Sequence, residues 1–275
     1  MPGLFITVDV EEPSHSNGRS WKALEPLVEA LETRSAKATF FVVGSEITHW
    51  SQDLKRLSSL GHEIAIHGWS HVHLVKEQPL ELLDNLISAR SQLADLTGTD
   101  SVGFRAPYFS LTKNTSWVPE VLSEAGFKYS SSVLPALNPQ AGFRSLPKNP
   151  FKWKSGLIEF PVPVFGVGPI AIPIAGGAYL RLLPKALINF AAHRLSAASG
   201  DWVYAHPYDF DVDERFNRWE NMSWLTSQLL HARRGRMLEG VLNFADATVG
   251  TLGSSLDKFN DVATFDPWGQ PKSVI

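Results

Sequence analysis

The chain has 275 residues, 44% of them apolar and 19% charged, enough for one large α/β domain with a sizeable core. Twenty-five Lys and Arg against 28 Asp and Glu leave a net charge of -3 with no basic block, which argues against nucleic acid or an anionic membrane surface as partner. No cysteine is present, so disulfides, thiolate metal sites and cysteine nucleophiles are excluded together.

The first stretch, MPGLFITVDV, runs straight into a strand pattern at 4–10. It lacks the charged segment, apolar stretch and small-residue cleavage site of a secretion signal. No run approaches the ~18 apolar residues of a membrane helix, so no integral membrane segment is expected and a cytoplasmic protein is the default. Trp21, Leu24, Leu27, Val28 and Leu31 then recur at helical spacing. ATFFVVG (38–44) reads as the second strand, Leu54 to Leu60 as a helix stopped by Gly61, and HEIAIH (62–67) as the third strand. A long amphipathic helix pattern runs from Leu80 to Leu96 and closes at Gly98. VGFRAP (102–107), a helix around Val118–Ala125 and a short strand near Phe127–Ser130 follow.

Residues 136–180 are Pro- and Gly-rich yet apolar, and they read as an extended or hairpin elaboration of the same domain. A helix pattern resumes at Pro184–Leu195, DWVYAHP (201–207) is a further strand, and a long helix pattern spans about Arg215 to Leu238 before an irregular tail. Strand–helix alternation of this kind predicts a mainly parallel sheet with covering helices and a barrel-like closure. The expectation is one domain over residues 1–275, with chemistry at the C-terminal strand ends.

Those strand ends read VDVEE, HGWSH, FRAPY and YAHPYD, and each carries ionisable or polar groups. Asp9 and Glu11 are two apart and share one strand face. Such a pair serves as metal ligand plus general base, or else as a helix cap plus solvated acids. His67 and His71 lie four apart, a spacing that lets both imidazoles face one metal. By itself that motif is weak, and it more often marks two partly buried histidines bonded to backbone. Trp69, Trp153, Trp202 and Tyr179 are aromatic candidates for stacking on a ligand or for the core. Arg181, after a Gly-Gly turn, is either a contact to an anionic substrate group or a solvated charge.

In order and content these motifs resemble the polysaccharide deacetylase superfamily, carbohydrate esterase family 4, whose catalytic unit is the NodB-homology domain. TVDVEE resembles its first acidic motif, HEIAIHGWSH its metal motif, GFRAPYFS its groove motif and YAHPYDFD its final histidine motif. AGGAYLRLLP (175–184) resembles a segment of the branch associated with exopolysaccharide gene clusters. The resemblance spans roughly residues 4–210. It implies an α/β fold, a distorted (β/α) barrel, and removal of N-acetyl groups from amino sugars with a divalent metal of the zinc type.

Carried over, Asp9 is the base, Glu11, His67 and His71 are the metal ligands, His206 is the acid and Arg105 holds the base. Tyr108 lines the groove and lends its backbone N–H to the oxyanion, and Arg181 is a further substrate-binding candidate. Partners implied are an amino sugar, nucleotide-linked, lipid-linked or part of an oligosaccharide, with a homo-oligomer left open.

Two departures stand out. The first motif is Asp-Val-Glu-Glu rather than two adjacent aspartates, which leaves Glu12 as an alternative ligand. Ser130 stands where relatives often have an aspartate beside the acid histidine, with Asp209 as a substitute. A precursor of surface polysaccharide is the expected substrate. The alternatives are an amidohydrolase acting on a ureide or formamide, and a catalytically silent sugar-binding module.

Overall fold

The structure is a computed structural model that describes residues 3–12, 18–136, 142, 146–166, 171–219 and 222–266. Among the described residues eight strands form one sheet: β1 (Phe5–Val10), β2 (Ala38–Val42), β3 (Glu63–Ile66), β4 (Gly103–Phe104), β5 (Tyr129–Ser130), β6 (Phe151–Lys152), β7 (Ile158–Glu159) and β8 (Trp202–Ala205). Their order is β6-β7-β5-β4-β3-β2-β1-β8. All neighbours are parallel except the β6–β7 hairpin. The β-α-β rhythm expected from the sequence is therefore present, as a distorted barrel in which β6 and β8 end the order.

Alternation along each strand separates two apolar layers. Leu4, Ile6, Val8 and Val10 join Phe40, Val42, Ile64 and Ile66 in the larger core, under the helices. That core takes the buried faces of α1 (Ser20–Thr33), α2 (Ser51–Ser59), α3 (Pro79–Thr97) and α4 (Val118–Glu124). Proline at the first turn and Gly98 at φ 71° bound α3, as helix-start and helix-stop chemistry requires. The opposite faces turn inward: Phe5, Phe41, Ala65, Tyr129, Ile158 and Trp202 form a second core, closed at one end by Leu252 and Phe259. Continuing with period two along the same inward face reaches Thr7 and Asp9, His67, Arg105, Ser131, and Tyr204 and His206. A one-residue register change on any strand would send its functional residue into the outer core.

Two expected elements differ. The 136–180 elaboration is extended in part, with the β6–β7 hairpin and a Phe165–Ile172 bridge, but from Gly177 it is helical: α5 spans Gly177–Leu182. Its residues 137–141, 143–145 and 167–170 lie outside those described. After α6 (Lys185–Ala192), the long helix expected over 215–238 is instead two short ones, α7 (Trp224–His231) and α8 (Met237–Leu242). Ala232 is extended (ψ 139°) and Arg233 left-handed (φ 56°), which ends the first and redirects the chain into a turn at Arg234–Arg236. Residues 220 and 221 of that pattern lie outside the described set.

Candidate active site

A cavity of about 500 Å³ opens at the strand ends, lined among others by Asp9, Glu11, His67, His71, Tyr108 and His206. Phe109, Tyr204, Tyr208, Trp219 and Met222 contribute to its apolar wall.

Glu11, His67 and His71 bring their ligand atoms within 4.8 Å of one another. Glu11 Oε2 lies 2.5 Å from His71 Nε2. His67 Nδ1 meets the Arg105 carbonyl at 3.1 Å, which fixes Nδ1 as the protonated nitrogen and leaves Nε2 to the cavity. Burial, opposed in part by Asp9, pushes the His67 imidazole down to about 4, so it is neutral, as a ligand must be. Glu11 is drawn down to about 2: burial opposes ionisation, but the His71 hydrogen bond and nearby imidazoles outweigh it. A carboxylate and two imidazoles converging on one point are a donor set that fits a zinc-type divalent cation. Glu12, the alternative, also lines the cavity, but its carboxylate accepts from the backbone N–H of Gly18 (2.9 Å) and Ser20 (3.3 Å) at the start of α1.

Asp9 is 3% exposed and pairs with Arg105, Oδ1 to Nη1 at 2.5 Å. Arg105 itself is fully buried. Its guanidinium lies between the rings of Phe41 and Trp202, 4.0 and 4.2 Å from their centroids, and bonds Thr7 (3.0 Å) and Ser131 (3.1 Å). A planar cation held on two faces and by two hydroxyls has little freedom to follow Asp9 elsewhere.

Tyr108 is 50% exposed at the cavity rim, its ring 4.9 Å from that of His71. It and Phe109 both have left-handed backbones, φ 59° and 51°. Two successive non-glycine residues in that region are strained, a feature that clusters at ligand-binding turns.

His206 follows β8 in an extended conformation, φ -118° and ψ 160°, as its position before Pro207 requires. Its Nδ1 lies 3.1 Å from Asp209 Oδ2, and its backbone N–H donates to the same oxygen at 2.9 Å. Its ring stacks on Tyr208 at 4.7 Å. Burial disfavours its charged form, but Asp209, Glu11 and Asp9 outweigh that and raise it to about 9. A cation on Glu11 would cancel that carboxylate's share. Ser130 instead donates to Ser132 Oγ at 2.7 Å, while Ser132 Oγ accepts from the Ala106 N–H at 2.9 Å and so steadies the Arg105–Tyr108 loop.

Arg181 corrects an expectation. It is 0% exposed and is not among the residues lining the cavity, so it is not placed to touch substrate. Its Nη2 instead pairs with Asp209 Oδ1 at 2.7 Å, behind His206. Of the stacking candidates, Trp153 and Trp202 are buried core, Trp69 packs on the outer core and Tyr179 is 40% exposed away from the cavity lining. The sequence reading missed Thr7, Tyr204, Tyr208 and Trp219. Thr7 and Tyr204 were accessible through period two, standing two residues before Asp9 and His206.

Residues 6–130 match the polysaccharide deacetylase family. Over these residues, somewhat under half of its length, the chain is similar to that family. Residues 131–246 match a second family, described as a domain of unknown function, DUF3473. Within the deacetylase match, a peptidoglycan deacetylase of Helicobacter pylori is 32% identical over 97 residues, 35% of this chain and 32% of that protein. Chitin deacetylase 1 of Cryptococcus neoformans is 34% identical over 82 residues, 30% of this chain and 17% of that protein. The chain thus spans about a third or less of the length of these relatives. A solved structure from Mycobacterium smegmatis, assigned to the polysaccharide deacetylases, covers 99% of both chains at a TM-score of 0.57 and 18% identity, which shows a shared fold. The deacetylase match takes in Asp9, Glu11, His67, His71, Arg105 and Tyr108, and His206 comes from the second region.

Proposed function

We propose that the protein is a metal-dependent hydrolase that removes an N-acetyl group from an amino sugar. The observation that carries this reading is the convergence of Glu11, His67 and His71 on one point of a cavity that also holds Asp9 and His206. Bound by those three residues, a divalent cation, zinc by the donor set, supplies Lewis-acid polarisation of the carbonyl and a lowered pKa for water.

Asp9 accepts the proton of the attacking water, held in place by Arg105. Tyr108 lines the groove, and its backbone N–H, on the left-handed turn, donates to the developing oxyanion. His206 gives a proton to the amine nitrogen as the C–N bond breaks, since an amide nitrogen leaves poorly without one. The apolar wall of Tyr204, Tyr208 and Trp219 suits the faces of a sugar ring.

The resemblance of AGGAYLRLLP to a segment of the exopolysaccharide-associated branch supports a surface-polysaccharide precursor as the substrate. Among the described residues no helix is long and apolar enough to cross a membrane. We further read residues 1–275 as one folding unit, because β5 of the first family match pairs with β7 of the second and β1 with β8.

The test is acetate release from N-acetylglucosamine oligomers by protein stripped of metal and reloaded with zinc. Release by the reloaded protein and not by the stripped one supports the reading. Release of product only from a ureide or formamide would overturn it.

A further inference from the structure

We infer that Arg181 is a positioning residue for the acid half of the site, fixing Asp209 so that His206 keeps its proton-donating nitrogen toward the substrate. This rests on the reading above and adds a role for the region matched by the domain of unknown function.

Asp209 is wholly buried, and a buried carboxylate is tolerated only with a countercharge. Arg181, equally buried, supplies it at 2.7 Å on Oδ1. The other oxygen, Oδ2, is thereby left to accept from both the backbone N–H and the Nδ1 of His206. With Nδ1–H committed to a carboxylate, the ring is held with Nε2 toward the cavity, where as the imidazolium it carries the proton to be donated. The ionised state of Asp209 is consistent with this: burial opposes it, yet the His206 bond and the Arg181 charge hold its carboxyl below the ordinary range.

The local sequence is built to deliver this arginine. Ala175 accepts the Tyr204 N–H at 3.0 Å, and Gly176 bridges to Tyr204 beside β8. A Cβ on Gly176 would sit 1.9 Å from the Tyr204 ring, so only glycine lets the backbone approach so closely. Gly177 then turns the chain at φ 50°, and α5 begins. Arg181 falls behind His206, two residues beyond Tyr204. Its Nη1 donates to the Ala232 carbonyl at 2.6 Å, and its own carbonyl accepts from Arg236 at 3.2 Å. The break between α7 and α8 thus places an acceptor for the guanidinium.

In the step itself the C–N bond breaks, its electron pair stays on nitrogen, and the Nε2 proton completes the free amine while the acyl carbon leaves as acetate. A misoriented ring slows this step only where the leaving group needs a proton. An aryl ester, whose phenolate leaves unaided, does not need it.

The experiment measures zinc-loaded wild type, Arg181→Gln, Arg181→Lys and the paired Arg181→Met/Asp209→Leu variant on chitotetraose and on 4-nitrophenyl acetate. The ring N–H signals of His206 are read by 15N NMR. We expect Arg181→Gln to lower kcat on the amide by about 10²-fold, the scale of acid catalysis, with KM and zinc content within about threefold. On the ester it should lose less than about threefold. Arg181→Lys should recover about tenfold of the amide loss. The paired variant leaves no orphan charge, folds if the single one does not, and should show the same amide-selective loss.

Equal losses on amide and ester, or a His206 Nδ1–H signal in Arg181→Gln unchanged from wild type, would overturn the inference. Failure of the deacetylase reading looks different: wild type then releases no acetate from chitotetraose, while the NMR comparison still reports on Arg181.

Discussion

Asp9 and Arg105 meet at 2.5 Å inside the barrel, from positions 96 residues apart, and neither side chain is more than 4% exposed. The partner holds the base by charge and by shape, because its guanidinium is flat between Phe41 and Trp202. Arg105→Lys keeps the charge but loses the stacked plane and the fork to Thr7 and Ser131. Its kcat should fall by about 10²-fold with zinc content unchanged. Arg105→Met leaves Asp9 buried without a partner and should cost about 3–5 kcal/mol in a denaturant melt. Full activity in the lysine variant would show that orientation of Asp9 does not depend on the fork.

Asp9→Asn keeps the acceptor shape and removes the basicity. The expected result is roughly two or more decades lost in rate, with folding and metal content retained. Glu12→Gln should leave the rate within about threefold, since Glu12 bonds the backbone at the start of α1. A dead Glu12→Gln beside an active Asp9→Asn would reverse the assignment of the first motif.

Removal of the metal should abolish turnover, and His71→Gln should weaken zinc binding by about 10–100-fold or more in a competitive chelator titration. Unchanged zinc content in that variant would contradict the ligand set.

His62 provides a stability test away from the site. Its Nδ1 accepts the Ala38 N–H at 3.1 Å, which requires an unprotonated nitrogen. Burial, aided by Lys37, pushes the imidazole from 6.5 down to about 4. The unfolded chain therefore takes up a proton first as pH falls. The contribution is complete above about 6.5 and is lost progressively toward 4, by roughly 1–3 kcal/mol. His62→Asn retains an acceptor and does not titrate, so its melting temperature should fall less steeply than wild type between pH 6.5 and 4. Parallel curves would refute the assignment.

A fragment ending at residue 136 lacks β7 and β8, so β5 and β1 lose their partners and Arg105 loses Trp202. It should be expressed insoluble or unfolded by circular dichroism. A cooperatively folded fragment would mean two domains.

Most of the site is legible because its residues extend strand patterns. Asp9, His67, Arg105 and His206 each stand on the inward period-two face, and burial of the alternate face fixes which way they point. Glu11 and His71 follow within a few residues of those positions. Arg181 is not legible in this way. Its destination depends on a Gly-Gly approach to Tyr204 and on an acceptor at Ala232, 51 residues on, and neither leaves a local pattern. The helix expected over 215–238 failed for a related reason: apolar spacing continues across Ala232 and Arg233, while their backbone dihedrals do not.

The position of β1 between β2 and β8 sets a schedule for biogenesis. The Thr7 hydroxyl donates to the Val203 carbonyl, 196 residues away, and β8 lies about 160 residues beyond β2. At translation rates of about 5–20 residues per second, the ribosome takes roughly 10–30 s to supply that strand. Throughout this interval the nascent β1 carries an uncovered hydrogen-bonding edge, next to apolar side chains bound for both cores. The chain is therefore a natural client for holding chaperones, and it should refold slowly from denaturant because its last pairing is its most distant one.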